Sequence, residues 1–339
     1  MAIRITVAGV GARGQDWVRE VKAAPAFELA ACVDVDPAAL QRASARFGIS
    51  PDRCFTDLGK ALDASGSQAV IVVTPPDCHA TACQAALDRK LAVLVEKPFT
   101  LRLSEAERLV SLAGAKSTPL LVAQNYRYLR SFRTVKRLFD EGVLGRVGMV
   151  VCHYYRPFHS MPDSLAKLTN SVLWGMSVHH LDAIQYVLGS KVTSVNAETF
   201  TQPWGRLPRG ASLQLMLAMA NDTRVSYSAT YESTGHTLFE GGQEFYARFI
   251  GERGTLHVFQ RWLIFWENGK LPRLVRRGRR KKTEEQVLLD QLERALIHGE
   301  SPEVSGRDNL QTVATLEACV RSATEERKVN PQELLVAHQ

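Results

Sequence analysis

Cysteine is sparse and unpatterned in this chain: Cys32, Cys54, Cys78, Cys83, Cys152 and Cys319 include no C-x-x-C pair. Neither a disulfide framework nor a zinc ribbon is expected, and the thiols read as reduced and mostly buried. No apolar run reaches the roughly 20 residues of a membrane helix. The opening MAIRITVAGV has no basic region, long apolar segment or small-residue cleavage site of a secretory leader. A cytoplasmic protein that engages no membrane is therefore expected. Repeats and low-complexity tracts are missing too, which excludes a solenoid. The formal surplus of +7 gathers in Arg273 to Lys282, RLVRRGRRKK, but no aromatics interleave it and Glu284 and Glu285 follow at once. Such a run reads as a solvated hairpin or loop rather than a nucleic-acid surface, with a phosphate-bearing partner as the alternative.

What is present suits a globular chain of more than one core. At 339 residues, 45% hydrophobic and 23% charged, two domains are expected. From Ile3 to about Val122, apolar runs (IRITVAGV, FELAACVDV, QAVIVVTP, LAVLVEKP, PLLVAQ) alternate with helical stretches such as AALQRASARFG and LSEAERLVSLAGA. Nearly continuous apolar strands alternating with helices predict a doubly wound parallel sheet covered on both faces. After Tyr128 the segments SLQLMLAMA, RVSYSATYE, FYARFIGERGTLHVF and RWLIFWENGK alternate as antiparallel strands do, flanked by helical patterns. The fold class is thus α/β: a Rossmann-type sheet over residues 1–123, then an α+β domain with a large, mostly antiparallel sheet over 124–339.

The strongest motif opens the chain. ITVAGVGARG is a strand followed by Gly9, Gly11 and Gly14 in G-x-G-x-x-G spacing, with Ala12 and Arg13 inside it. The spacing allows a tight turn, close backbone approach to a pyrophosphate and close helix packing. A second strand, LAACVDV, carries Asp34 where a carboxylate would accept bonds from the ribose 2′-hydroxyl and repel a 2′-phosphate, so NAD is expected over NADP. Arg13 complicates that choice, since a guanidinium beside the turn could hold a phosphate. Later strands end in Thr74-Pro75-Pro76, with His79 three residues on, and in Glu96-Lys97-Pro98. These loops should border the dinucleotide, because ligands of open parallel sheets collect at the carboxyl ends of strands.

Those motifs, with Asn125-Tyr126-Arg127 and the block His179-His180-Leu181-Asp182, resemble the glucose-fructose oxidoreductase/inositol dehydrogenase family, called Gfo/Idh/MocA. The resemblance runs over most of the chain. It implies NAD(P)-dependent oxidation or reduction at a sugar or cyclitol carbon. It also implies that Lys97 contacts the reacting oxygen, often beside a cis peptide, and that His179 serves as acid or base. Imidazole suits the proton of a reacting hydroxyl near neutral pH, and a desolvated lysine could share it. Cofactor contacts are expected from Gly9, Gly11, Ala12, Arg13, Gly14, Asp34, Thr74, Pro75, His79, Glu96, Lys97 and Asn125. His180 faces elsewhere on a helix and reads as structural. His179 and Asp182 could also sit together as metal ligands, with His153 and His159 as further donors, but no motif completes a site and no metal is expected.

One position departs from the family pattern. Many members carry an aspartate one helical turn before the histidine, where it contacts substrate; here Gly175 stands there. Either Lys97 and His179 suffice, or Asp163, His159, Tyr155 or Asn170 substitutes. Otherwise the protein is a nucleotide-dependent sensor, or an enzyme altered to slow turnover. Tyr126, Arg127, Tyr155 and Trp174, with Tyr154 and Arg156 nearby, are candidates to hold a small polyhydroxylated substrate, aromatic faces stacking and polar tips reading hydroxyls. Apolar strands on the second sheet, together with the resemblance, imply a homodimer or homotetramer.

Overall fold

The computed structural model describes residues 2–157, 168–207, 210–234, 244–259, 262–279 and 281–336. The chain divides into two compact units, Met1–Asn125 with Lys281–Val313, and Tyr126–Arg280 with Ala314–Gln339.

The first unit is built on six parallel strands: β1 (Ile3–Ala8), β2 (Phe27–Val33), β3 (Cys54–Phe55), β4 (Ala69–Val72), β5 (Ala92–Val95) and β6 (Leu120–Val122). Their order, β3-β2-β1-β4-β5-β6, is that of the doubly wound dinucleotide fold, with its crevice where the order reverses between β1 and β4. Helices α1 (Ala12–Ala23), α2 (Pro37–Phe47), α3 (Leu58–Ala64), α4 (His79–Asp88) and α5 (Leu103–Ala115) connect the strands. Every residue of β4 and β5 is fully buried, which is why these strands are continuous apolar runs rather than alternating ones. Local signals set the helix ends: α2 starts with the Asp36 carboxylate accepting from the Ala38 N–H and stops at a left-handed Gly48.

The expected division at 123/124 places Lys281–Val313 with the second domain, but the structure returns this segment to the first unit. Its helix, Glu284–His298, begins in a capping box made by Thr283 and Gln286. Glu285 accepts from Arg13 at 2.8 Å, and the Thr283 hydroxyl donates to Glu20 at 3.2 Å. The Val122 N–H then donates to the Val304 carbonyl at 2.9 Å, so the returning chain lies along β6. These contacts link residues far apart in sequence, and a local pattern cannot announce them.

The second unit carries eight strands: β7 (Val147–Pro157), β8 (Val192–Phe200), β9 (Ser212–Met219), β10 (Arg224–Ser233), β11 (Glu244–Gly251), β12 (Gly254–Phe259), β13 (Trp262–Glu267) and β14 (Arg273–Leu274). Their order is β14-β13-β12-β11-β7-β10-β9-β8, with β7 and β10 the parallel pair and the other pairs antiparallel. Alternation gives the sheet two unlike faces. One is buried, holding Tyr154, Tyr227, Phe249 and Leu256. On the other, Met149, Met216, Trp262 and Trp266 are each about half exposed or more. The basic run supplies the edge strand β14 and then an irregular stretch, in which the Gly278 carbonyl accepts from Arg130 at 2.7 Å.

Replacing the capping threonine, Thr283→Ala, is expected to lower stability by about 1 kcal/mol, read as an earlier urea-unfolding midpoint with no change in the denaturant slope.

Candidate active site

The glycine loop has a division of labour. Gly9 sits at φ +92°, and a Cβ there would lie 2.5 Å from the Val73 carbonyl oxygen; one on Gly14 would lie 1.9 Å from the Gly9 oxygen. Both positions exclude side chains because backbone occupies the space. Gly11 differs: nothing lies within 4 Å of its Cβ position. It caps α1 without a side-chain bond, so no N-cap side chain serves the N–H groups of the first turn, which begins at Ala12. That is a cradle for a pyrophosphate. Asp34, just beyond β2, steadies it by accepting the Val10 N–H at 2.8 Å through one oxygen and the Asp36 N–H at 3.0 Å through the other.

Further along the same carboxyl edge, Thr74 Oγ1 after β4 and Asn125 Oδ1 after β6 are buried with no hydrogen-bond partner among the described residues. Buried polar atoms are normally satisfied, so these two fit a polar ligand at this edge. The loop, the acid and the orphaned atoms together fit a dinucleotide.

Three expected cofactor contacts, Arg13, Glu96 and His79, have partners within the protein. Arg13 donates to Glu96 at 2.6 Å and to Glu285 at 2.8 Å, so its guanidinium is committed to neighbouring carboxylates. Glu96 is buried; its Oε1 also accepts from Trp17 at 2.8 Å, while Oε2 faces the Lys97 N–H at 3.2 Å. His79 is buried as well, each ring nitrogen 2.8 Å from a main-chain carbonyl, Pro98 on one side and Thr74 on the other. Pro75 is exposed at the head of the short turn Pro76–Cys78.

Lys97 follows β5 at a cis Lys97–Pro98 peptide. Burial pulls its ammonium down to a pKa of about 8; Glu96 opposes this and the Arg13 charge assists it. An amine poised there can gain or lose a proton near physiological pH.

In the second unit, His179 and His180 open the helix Val178–Leu188, and the turn before it, Leu173–Ser177, is a π-helix in which the Val178 N–H reaches the Leu173 carbonyl five residues back. Gly175 and Trp174 are buried inside that turn. Counting Gly175 and His179 as i and i+4 on one α-helical face is therefore incorrect, because the wider turn changes the angle per residue. The turn is fastened from the sheet: the Tyr227 hydroxyl donates to Ser177 at 2.9 Å, and His180 Nδ1 lies 2.9 Å from the same hydroxyl. His180 also stacks on Phe245 with centroids 4.6 Å apart, so its role is structural. His179 is held by Tyr126, whose ring stacks on it at 4.1 Å and 16°. Burial lifts the Tyr126 phenol to about 12, against the pull of Arg156; it stays neutral at working pH.

Arg127, expected at substrate, is buried and gives two 2.7 Å bonds to the Asp182 carboxylate. This pair anchors the turn Asn125–Tyr128 to the histidine helix and removes Asp182 from any ligand set. Tyr155 lies on the far face of its strand, bonded to Ser228 at 3.1 Å and stacked on His153. Its neighbour Tyr154 faces the helix, with its ring 5.2 Å from His180. Sequence alternation shows that adjacent residues point opposite ways but not which way, and Tyr227 and Tyr231 are the tyrosines it missed on this face. Asn170 sits at φ +57° ahead of the π-turn; His159 and Asp163 lie outside the described residues. Among the described residues, no three metal-ligating side chains cluster, and no helix is long and apolar enough to cross a membrane.

The glycine loop and the strand order define a dinucleotide-binding α/β protein. Comparison makes this specific: residues 3–124 match the model of the oxidoreductase family with an NAD-binding Rossmann fold, and 132–257 that of the GFO/IDH/MocA C-terminal domain. The chain belongs to the Gfo/Idh/MocA oxidoreductase family, and its first unit is an NAD-binding Rossmann domain. An inositol 2-dehydrogenase of Streptomyces avermitilis is 32% identical over 193 residues, 56% of this chain and 54% of that one. A D-apiose dehydrogenase of Paraburkholderia graminis is 24% identical over 320 residues, 91% and 84% of the two chains. An oxidoreductase from Agrobacterium radiobacter, solved with NAD+, L-tartaric acid and magnesium, shares the fold with a TM-score of 0.88 at 22% identity, covering 98% of this chain and 100% of that one.

Because the folded Lys97 pKa of about 8 lies below its ordinary 10.5, the unfolded chain binds the extra proton between those values and stability rises with pH across that window. Lys97→Met should therefore stabilise the protein below pH 8, by up to about 3 kcal/mol. The gain should fade between about pH 8 and 10 in denaturant melts run as a pH series.

Proposed function

We propose that the protein transfers a hydride between NAD and a secondary alcohol or ketone of a sugar, cyclitol or related polyol. The observation that carries this is the placement of the half-buried Lys97 at the exit of β5, on the same carboxyl edge of the sheet as the glycine loop, with its amine drawn down to a pKa of about 8. Names of the relatives, inositol 2-dehydrogenase and D-apiose dehydrogenase, support the substrate class. Bound nicotinamide supplies the hydride acceptor or donor. The loop from Gly9 to Gly14 holds the pyrophosphate, Asp34 the adenosine ribose, and Thr74 and Asn125 offer polar atoms along the same edge. Lys97 hydrogen-bonds the reacting oxygen through Nζ. His179, kept flat against Tyr126, takes the hydroxyl proton in oxidation and returns it in reduction. Trp174 and Tyr126 belong with the substrate. NAD is favoured over NADP because Asp34 would repel a 2′-phosphate while Arg13 is held by Glu96 and Glu285, and the exposed Val35 offers no donor.

A second reading, a sensor that binds nucleotide without turnover, is favoured by Gly175, which brings no acid to the turn before His179. NADH formation over a panel of sugars, cyclitols and sugar acids separates the two. Turnover by the native chain is expected, with Lys97→Ala lowering kcat about 10²–10⁴-fold; unchanged turnover in that variant would remove Lys97 from the mechanism. Activity in Gly175→Asp alone would mean a site lacking one acid, and silence from both chains with NAD bound would favour the sensor.

We also place the protein in the cytoplasm, in keeping with its six free cysteines, and as a homodimer or homotetramer. Met149, Met216, Trp262 and Trp266 on one sheet face form the kind of apolar surface that a second copy covers. Light scattering at working concentration should return a multiple of the chain mass; a monomeric mass rejects the assembly.

A further inference from the structure

The segments that leave β4 and β5 part company just where Lys97 stands. The paired register of the two strands ends at Val72 and Val95, and the last main-chain bond between them runs from the Glu96 N–H to the Val72 carbonyl at 2.9 Å. Beyond it the sheet no longer holds the Lys97–Pro98 segment against the turn at Thr74. The His79 side chain does. His79, the first residue of α4 and 1% exposed, lies between the two exits with Nδ1 2.8 Å from the Pro98 carbonyl oxygen and Nε2 2.8 Å from that of Thr74.

Both neighbours are carbonyls, which only accept, so each contact needs a proton on the facing nitrogen. An imidazole is suited to the place because its two polar atoms sit on opposite edges of a rigid ring. Burial pulls the imidazole pKa down, while the carbonyls of Pro98 and Thr74, the Glu96 charge and the Phe99 carbonyl pull it up. Two of those carbonyls belong to the β5 exit and one to the β4 exit. The β5 exit is thus the stronger claimant for a single proton. Lys97 is then fixed from both sides, by the Glu96 main-chain bond before it and by the Pro98 carbonyl after it.

We propose that His79 is a positioning residue for Lys97: its Nδ1–H, donated to the Pro98 carbonyl, holds the main chain from which the lysine projects. The consequence for turnover rests on the dehydrogenase reading; the geometry does not. Competitive acetylation of Lys97 across a pH series, read by mass spectrometry on the intact protein, tests it without a substrate. The native chain should titrate at about 8. In His79→Leu the midpoint should move up toward the ordinary lysine value as the loosened loop lets water reach the ammonium, and His79→Gln, which retains an N–H donor, should restore part of the shift. An unchanged midpoint in folded His79→Leu overturns the proposal.

Should that variant fail to fold, the native protein labelled with 15N-histidine decides. A proton on His79 Nδ1, alone or with one on Nε2, supports the assignment, and a proton on Nε2 alone overturns it. With a substrate that turns over, kcat in His79→Leu should fall about 100-fold, as a slight misplacement of a reacting group does, while NAD affinity holds. Loss of NAD affinity in step with kcat overturns it, because His79 would then serve the cofactor. A native chain that labels as expected but turns over nothing sinks the dehydrogenase reading and leaves the positioning role standing.

Discussion

The nucleotide-binding unit depends on one buried carboxylate. Glu96 takes the Arg13 guanidinium and the Trp17 indole on a single oxygen, both from the first two turns of α1, while its second oxygen faces the N–H of Lys97. The helix that follows the glycine loop and the strand exit that carries the amine are thereby cross-linked through a single side chain. Charge-assisted bonds of this kind are strong and directional, and they define where Lys97 begins. They also give Arg13 two carboxylate partners within the protein, Glu96 and Glu285.

A similar economy governs the second unit. The histidine helix is fixed at its polar side by the paired bonds between Arg127 and Asp182, and at its start by Tyr227 reaching from the sheet to Ser177 and His180. Both sets of partners are buried, so breaking either would leave polar groups without water or protein to satisfy them. The π-turn survives because its irregular end is gripped by a side chain from another element. His179 inherits its orientation from this arrangement and from the flat face of Tyr126.

Much of this was legible in the sequence, for physical reasons that differ by site. The glycine loop and Asp34 could be read because they answer to backbone geometry, which demands particular residue types at fixed spacing. The continuous runs of β4 and β5 could be read because both faces of that sheet are covered. Other features had no such local mark. Arg127 looks like any polar residue beside a site, and its partner lies 55 positions away. Tyr154 and Tyr155 are indistinguishable until a register says which face is which. The π-turn defeats counting by fours because the count assumes the very helix that is interrupted. Two-residue β3 is too short to show a period at all.

The return of residues 281–313 to the first unit bears on how the protein is made. Arg13 and Glu285 stand 272 positions apart, so a Rossmann sheet emerging from the ribosome has its strands long before the helix that packs on α1 and the segment that lies along β6. Until then α1 and β6 each lack a neighbour, and apolar surface waits uncovered while the second unit is translated. The amino-terminal domain is first to start and cannot be first to finish. A nascent chain of this design carries that surface until residues 281–313 have been made.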